Sequence, residues 1–254
     1  MANRYFIKIS FDGTRYNGWQ VQKNSSETVQ QKINEGLSKI LSEKIEVYGC
    51  CRTDAGVHAR ELVAHFDTEH TFSGKGAGAE MLHKFNSVLP TDISIDSIFS
   101  VADDANARYD ATARTYQYLI NSKRDPFLLN RSYYYYNELD VALMNKACKL
   151  LMKNKDFSSF SKVNTQVKTN LCKIYKAKWI STGNGYEFTI RANRFLRGMV
   201  RMVVGTLMLV GKNKLTLKEL QEIIDSKDCR NAGMSVPACG LYLAKVEYPK
   251  KMFK

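Results

Sequence analysis

The sequence predicts an α+β protein in which one order of strands and helices occurs twice. Residues 5–107 contain alternating and amphipathic segments in the order β, α, β, β, α, β, and residues 108–254 repeat that order with one additional helix. This is the order of a ferredoxin-like fold, in which helices pack on one face of an antiparallel sheet. We therefore expect two fused ferredoxin-like halves, 1–107 and 108–254, with antiparallel sheets and a cleft between them.

The elements of the first half follow from local patterns. Residues 5–13 alternate and end in an Asp-Gly turn, which predicts a strand. Thr28 has the position of a helix cap before an apolar face that runs from Val29 to Leu41. The segments "KIEVYGCC" and "ELVAHFDT" predict two strands that flank the polar stretch "RTDAGVH". A helix that ends before Pro90 and the strand "ISIDSIFSV" complete the half.

The second half repeats these signals. It contains the strand "ATARTYQYLINS", the helix "LDVALMNKACKLLMKN", and the strands "LCKIYKAKWIS" and "YEFTIRAN" joined by a Thr-Gly-Asn-Gly hairpin turn. An apolar helix from Phe195 to Val210, a helix over "LTLKELQEIID" and the closing strand "GLYLAKVEY" follow.

Two insertions are too long to be simple connections. In "KRDPFLLNRSYYYYNE", the tyrosines at 133–136 predict a half-buried strand with alternating faces, and the segment could also be an RNA-contacting arm. In "FSSFSKVNTQVKTN", Lys162 and Lys168 accompany Phe157 and Phe160. Basic and aromatic side chains together form surfaces on which single-stranded nucleic acid stacks, so we expect an RNA contact there.

Composition narrows the class of protein. The 254 residues include 38 Lys and Arg against 25 Asp and Glu, a formal net charge of +13, which favours a polyanionic partner such as nucleic acid. No run approaches the ~18 apolar residues of a membrane span, and the first residues do not have the pattern of a signal peptide. We therefore expect a cytoplasmic protein that does not enter a membrane.

The cysteines do not indicate a metal site. The six cysteines form no CxxC pair, and the adjacent Cys50 and Cys51 are expected to point to opposite faces of a strand. We interpret them as buried hydrophobic residues of a reducing compartment. The chain also contains neither a Walker loop nor a dinucleotide-binding fingerprint, so no nucleotide cofactor is indicated.

One pairing of charges is suggested by elimination. Arg201 lies within the apolar helix, and a buried guanidinium requires an acidic partner because it cannot lose its proton. Asp54 is the only acid of the polar stretch in the first half. The pairing would keep Asp54 ionised and oriented, as a nucleophile or base must be. Two alternatives remain open, namely a structural salt bridge or an Asp54 side chain that caps its own loop.

Four segments resemble a known family in order and spacing. They are "RTDAGVHA" at 52–59, "ARTYQY" at 113–118, "NRFLRGMVR" at 193–201 and "GLYLAKVEYP" at 240–249. Together they resemble the bacterial tRNA pseudouridine synthases of the TruA type. The similarity extends to "FDGTRYNGWQ" and "NSVLPTDI", so it covers nearly the whole chain.

The resemblance implies a role for each motif. Asp54 would be the catalytic aspartate, Tyr116 would pack on the target uracil, and Arg201 would be the basic partner of the aspartate. Arg52 would enter the RNA to help extrude the uridine. Apart from the resemblance, Arg108 lies just before the second motif and is a candidate for contact with the RNA backbone. The family acts on uridines at positions 38 to 40 of the tRNA anticodon stem-loop, as homodimers, with no cofactor and no catalytic metal.

The implied chemistry is an isomerisation that gains and loses no atoms. Asp54 could add to the anomeric carbon of the ribose or remove a neighbouring ribose proton, and both routes need a carboxylate. The target nucleotide must also be flipped out of its stack, which costs a few kcal/mol. The alternatives are a non-catalytic RNA-binding paralogue or tRNA-folding helper, and a metal-dependent nuclease, for which the motifs lack clustered carboxylates.

The sequence departs from the family at one position beside the first motif. Cys51 precedes Arg52, where the family usually has glycine. If that position requires a positive φ, cysteine would strain the backbone by ~1–2 kcal/mol and could displace Arg52.

Overall fold

The computed structural model describes residues 3–25, 27–72, 77–162 and 169–253. Residue contacts divide the chain into two compact units, Met1–Thr112 with Tyr242–Lys254, and Ala113–Leu241. The helices are α1 Val29–Leu41, α2 Ala77–Val88, α3 Val141–Lys153, α4 Met199–Gly211 and α5 Leu217–Ser226. The strands are β1 Asn3–Phe11, β2 Tyr48–Gly49, β3 His58–Thr68, β4 Ile93–Ser100, β5 Ala113–Asn121, β6 Tyr133–Tyr134, β7 Ile174–Thr182, β8 Gly185–Ala192 and β9 Leu241–Glu247.

The first unit has the strand order of a ferredoxin-like sheet. β1 pairs antiparallel with both β3 and β4, and the short β2 pairs antiparallel with the far end of β3. Side chains that alternate along β1 and β3 enter a core with α1 and α2, including Ile7, Ile9, Leu37, Phe66 and Phe85. The last strand, β9, pairs parallel with β3 where His58 lies opposite Tyr242. The unit therefore closes with a segment about 180 residues away in the chain.

The second unit is a sheet with helices α3 to α5. β8 pairs antiparallel with β5 and with β7, and β6 runs parallel to the end of β5. α3 packs on β7 and on α4, and α4 is buried on nearly all sides. The mixed α+β class predicted from the sequence is confirmed by these two units. Among the described residues, no helix is both long and apolar enough to cross a bilayer.

Helix starts agree with the sequence. The Thr28 hydroxyl accepts a hydrogen bond from Gln31 N at the start of α1. Thr216 and Glu219 form a complete capping box at the start of α5. Each side chain satisfies a backbone N–H that the first turn of a helix leaves without a partner.

The strand predicted over "KIEVYGCC" is mostly absent, because α1 takes the place of a neighbouring strand. Val47 N donates to Asn34 Oδ1 and Ile45 N donates to the Ser38 hydroxyl, both on α1. The Val47 carbonyl accepts from the Gln30 side chain. Since these side chains satisfy the backbone, only β2 remains as a paired segment.

The predicted apolar helix begins four residues later than expected. α4 starts at Met199, because Gly198 takes a φ of +74° and interrupts helical geometry. Residues 195–197 therefore precede the helix and are not part of it.

The structure also bears on three smaller expectations, which concern the paired cysteines, the tyrosine run and the closing strand. The Cys50 and Cys51 sulfurs lie 3.7 Å apart, so the expectation that they point to opposite faces is wrong. The reason is that β2 ends at Gly49, before the pair. The tyrosines at 133–136 alternate between half-buried and exposed, but only Tyr133–Tyr134 form a strand, so the predicted strand is confirmed for two of the four residues. The closing strand, assigned from the sequence to the second half, packs in the first unit from Tyr242 onward.

Candidate active site

The polar stretch of the first unit forms a short loop between β2 and β3, which we name the aspartate loop (residues 50–57). Asp54 is half-buried in it and Arg52 is exposed. The loop turns where Val57 N donates to the Asp54 carbonyl at 3.2 Å, with Gly56 at a φ of +75°. Cys51 is not among the described residues with positive φ, so it causes none of the strain considered for this position.

A second segment, Asp12–Trp19, holds the aspartate loop through its backbone. Trp19 N donates to the Thr53 carbonyl at 3.2 Å, and Gly56 N donates to the Tyr16 carbonyl at 3.3 Å. These two bonds lie on either side of Asp54. The main chain around the carboxylate is therefore fixed from outside the loop itself.

Two glycines allow this close approach. At Gly13, an added Cβ would lie 2.0 Å from the Val57 carbonyl oxygen. At Gly18, which has a φ of +88°, an added Cβ would lie 2.4 Å from the Thr53 carbonyl oxygen. No side chain fits at either position without moving the aspartate loop.

Polar side chains fasten the supporting segment in turn. His58, at the first position of β3, accepts a hydrogen bond from Gly13 N on Nδ1 at 3.0 Å. Its imidazole stacks on Tyr242 of β9, with ring centroids 4.6 Å apart. On the other side, the Tyr16 hydroxyl donates to Asp92 at 2.6 Å, and burial together with this bond raises the pKa of Tyr16. The support thus reaches β3, β9 and the segment before β4.

In the second unit, Arg201 lies in the first turns of α4 and is half-buried. The expectation that it is fully buried is therefore wrong, since α4 begins only at Met199. Its Nε donates to the Val236 carbonyl at 2.7 Å, and Val236 N donates to the Arg201 carbonyl at 3.3 Å. Gly205 lets residue 234 approach the same helix, because an added Cβ would lie 2.0 Å from the Met234 carbonyl oxygen. These contacts fix the direction of the guanidinium.

Tyr116 lies on β5 and is only 7% exposed. Phe195 packs edge-on against it, with centroids 5.1 Å apart and an interplanar angle of 89°. The segment 193–201 therefore carries both a ring that contacts Tyr116 and the guanidinium of Arg201. The sequence shows "ARTYQY" and "NRFLRGMVR" as separate motifs, and the second unit brings the two motifs into contact at Tyr116 and Phe195.

Lys162 belongs to the same neighbourhood of the second unit. It is exposed, its N donates to the Arg197 carbonyl at 3.2 Å, and its aliphatic stem covers Gly198. Lys168, predicted beside it, lies outside the described residues. Phe157 and Phe160 are fully buried in the core of the unit, so the expected aromatic part of this surface is wrong. Periodicity could not show this, because a loop carries no repeating face.

Arg108 is an exposed residue of the first unit. Its guanidinium lies over the Tyr109 ring at 5.7 Å from the centroid, and its backbone N donates to Asn106 Oδ1 at 2.9 Å. The ring of Tyr109 is 78% exposed, so the pair offers a cation and a stacking face to solvent.

The supporting residues Gly13, Gly18 and His58 were not among the candidate site residues of the sequence. The two glycines in "FDGTRYNGWQ" were the sequence feature that could have indicated this support. The segment belongs to the family resemblance, but local patterns predict only turns at these glycines. Across the described ranges, no cluster of three or more His, Cys, Asp or Glu side chains could hold a metal ion.

The chain is similar to known proteins along nearly its whole length. Residues 147–249 match the family model described as tRNA pseudouridine synthase. The chain is 45% identical to tRNA pseudouridine synthase A of Parabacteroides distasonis over 98% of both chains. It is 46% identical to the same enzyme of Bacteroides fragilis over 100% of this chain and 99% of the relative. It is also 41% identical to tRNA pseudouridine synthase A 2 of Clostridium perfringens over 95% of this chain and 98% of the relative.

A half-buried aspartate in an externally supported loop, on a basic α+β protein, is consistent with a class of enzyme that acts on nucleic acid. Within that class, the full-length similarity is decisive. The chain belongs to the tRNA pseudouridine synthase A family.

Proposed function

We propose that this protein isomerises uridine to pseudouridine in the anticodon stem-loop of tRNA, at positions 38 to 40, with Asp54 as the catalyst. The observation that carries the proposal is the aspartate loop. Its backbone is held on both sides of Asp54 by Trp19 and Tyr16, in a chain that belongs to this family. A catalytic group must be held in position in this way, because small displacements are costly to rate.

The reaction needs only groups that the chain supplies. The bond between N1 of the uracil and C1′ of the ribose breaks, the base turns, and a bond between C5 and C1′ forms. The proton on C5 leaves and N1 acquires a proton, so the product has the atoms of the substrate. The Asp54 carboxylate serves either as the nucleophile at C1′ or as the base that removes a neighbouring ribose proton.

The other site residues have proposed roles that support this step. Tyr116, whose orientation Phe195 limits, packs on the uracil while the base is detached. Arg201 acts as the basic partner that the resemblance implies. Arg52 enters the RNA as the nucleotide flips out, at a cost of a few kcal/mol. Arg108, Lys162 and Lys168 bind the phosphate backbone.

We also propose that the protein acts as a homodimer in the cytoplasm, without a cofactor. The support is the full-length similarity to the family and the net charge of +13, which suits a tRNA partner. Light scattering of the purified protein measures the dimer directly, and a monomeric mass would contradict it.

The function is tested by incubating unmodified tRNA with the purified protein and no added cofactor. Chemical mapping of pseudouridine should then show product at positions 38 to 40. An unmodified anticodon arm would contradict the proposal. Tight, salt-sensitive tRNA binding without product would favour the non-catalytic RNA-binding alternative instead.

The catalyst is tested by Asp54→Asn, which removes the charge and changes little volume. Turnover should fall by about 10³-fold or more, while tRNA affinity stays within about threefold. Asp225→Asn makes the same chemical change on the exposed side of α5 and should keep full activity. If Asp54→Asn instead loses tRNA binding together with turnover, Asp54 has a structural role.

A further inference from the structure

The hydroxyl of Thr53 is buried and makes no hydrogen bond to any residue that the structure describes. Thr53 is 8% exposed, and its Oγ1 is one of three side-chain atoms in the described residues that are buried without a hydrogen-bond partner. The other two, Asn121 Oδ1 and Trp179 Nε1, lie in the second unit. A buried hydroxyl without a partner destabilises a folded protein, since it has lost its bonds to water.

The surroundings of Thr53 make this position informative. Its carbonyl accepts from Trp19 N at 3.2 Å, and Gly18 packs against that carbonyl. The main chain is therefore held at Thr53, and the hydroxyl can reach a new partner by rotation about χ1. Valine has almost the same shape and would carry no penalty, so the free protein gains nothing from the hydroxyl.

The neighbours of Thr53 indicate which partner it would meet. Arg52, on one side, is an exposed cation, and Asp54, on the other side, is the carboxylate proposed to act at the ribose. A phosphate suits the first group, and the anomeric carbon suits the second. A side chain between these two groups would lie beside the sugar–phosphate of a bound nucleotide.

We propose that Thr53 is a substrate-binding residue whose hydroxyl donates a hydrogen bond to a sugar–phosphate oxygen of the target nucleotide. The inference rests on the proposed function and adds a residue to it. The hydroxyl remains unsatisfied in the free protein and gains its partner when the RNA engages the aspartate loop. Part of the binding energy is therefore gained only when the target nucleotide is correctly positioned next to Asp54.

The test compares Thr53→Val, Thr53→Ser and wild type in the full chain, with an anticodon stem-loop RNA as substrate. In Thr53→Val, Tm should rise by about 2–4 °C, because the unsatisfied hydroxyl is gone. In the same variant, kcat/KM should fall about 10- to 100-fold, as the loss of a hydrogen bond to a charged group predicts. Thr53→Ser, which restores the hydroxyl, should recover most of the kcat/KM.

Thr68→Val is the matched control. Thr68 is a buried threonine of the first unit, and its hydroxyl bonds Glu43 and accepts from His70 N at 3.1 Å. The same substitution there should lower Tm and leave kcat/KM within about twofold of wild type, because a satisfied hydroxyl remote from the loop is lost.

Three results would overturn the inference. A Thr53→Val variant with unchanged kcat/KM would show that the hydroxyl has no role with RNA. A lowered Tm would show that the hydroxyl has a partner in the free protein. A Thr53→Ser variant as impaired as Thr53→Val would assign the effect to the methyl group. Failure of wild type to form pseudouridine in the same assay would contradict the proposed function instead.

Discussion

The position of Asp54 depends on individual residues, including glycines, which have no side chain. Gly18 is the clearest case, because its φ of +88° and its contact with the Thr53 carbonyl both require the absence of a Cβ. The carboxylate is thus oriented by a residue that has no chemical role. Sequence reasoning found Asp54 from its unusual polar neighbours, but it could not find Gly18 as a support, since Asn-Gly reads locally as an ordinary turn.

Gly18→Ala should therefore damage catalysis without contact with the substrate. The added Cβ lies 2.4 Å from the Thr53 carbonyl oxygen, so the aspartate loop must shift or the Trp19–Thr53 hydrogen bond must break. A displacement of about 1 Å near the catalytic group predicts a loss of kcat/KM of about 100-fold.

The matched control is Gly183→Ala, at a glycine where an added Cβ meets nothing within 4 Å. Pseudouridine formation by Gly183→Ala should match wild type. Equal kcat/KM for Gly18→Ala and wild type would show that the aspartate loop tolerates the shift.

Among the strands and helices, β3 follows the aspartate loop directly. It begins at His58, which bonds the supporting segment, and it continues through His65, which is buried. Burial of the imidazole, assisted by the positive charge of Arg4, lowers the pKa of His65. His65 Nδ1 also accepts a hydrogen bond from Ala107 N at 3.2 Å, which only the neutral ring can do at that atom.

This pKa predicts how the stability of the first unit depends on pH. The pKa of His65 is lower in the folded state than its value of about 6.5 in the unfolded chain, so unfolding takes up a proton at acidic pH. The stabilisation is complete above about pH 6.5 and is lost as the pH falls through the folded pKa. The free energy of unfolding, from urea titrations, should therefore fall as the pH is lowered below about 6.5.

His65→Gln keeps an acceptor for Ala107 N and removes the ionisation. This variant should lose part of the pH dependence of stability below about pH 6.5. The same slope in both proteins would contradict the role of His65.

The charge of the whole chain, rather than any single helix or strand, sets the expected salt dependence of tRNA binding. The net charge of +13 predicts that tRNA affinity falls steeply with salt, since each neutralised phosphate releases a counterion. With Asp54→Asn, which allows binding to be measured without turnover, the association constant should fall at least about tenfold between 50 and 200 mM salt.

The contribution of one cation is measured by Lys162→Gln. The slope of log K against log salt should become shallower by about one, as expected for one lost phosphate contact. Lys218→Gln, an exposed residue of α5 that pairs with Glu222, makes the same charge change and should keep the wild-type slope. Equal slopes for both variants would show that Lys162 makes no contact with a phosphate of the RNA.

Local patterns in the chain were enough to predict the α+β class, the helix cap at Thr28, and the motif around Asp54. These features depend on periodicity and on neighbours a few residues apart, which any stretch of sequence displays. Packing was needed for the rest: the parallel pairing of β9 with β3, the burial of Phe157 and Phe160, and the hydrogen bonds from Trp19 and Tyr16 to the aspartate loop. Such contacts join segments that are distant in sequence, and they form only when the hydrophobic faces of several elements are buried together.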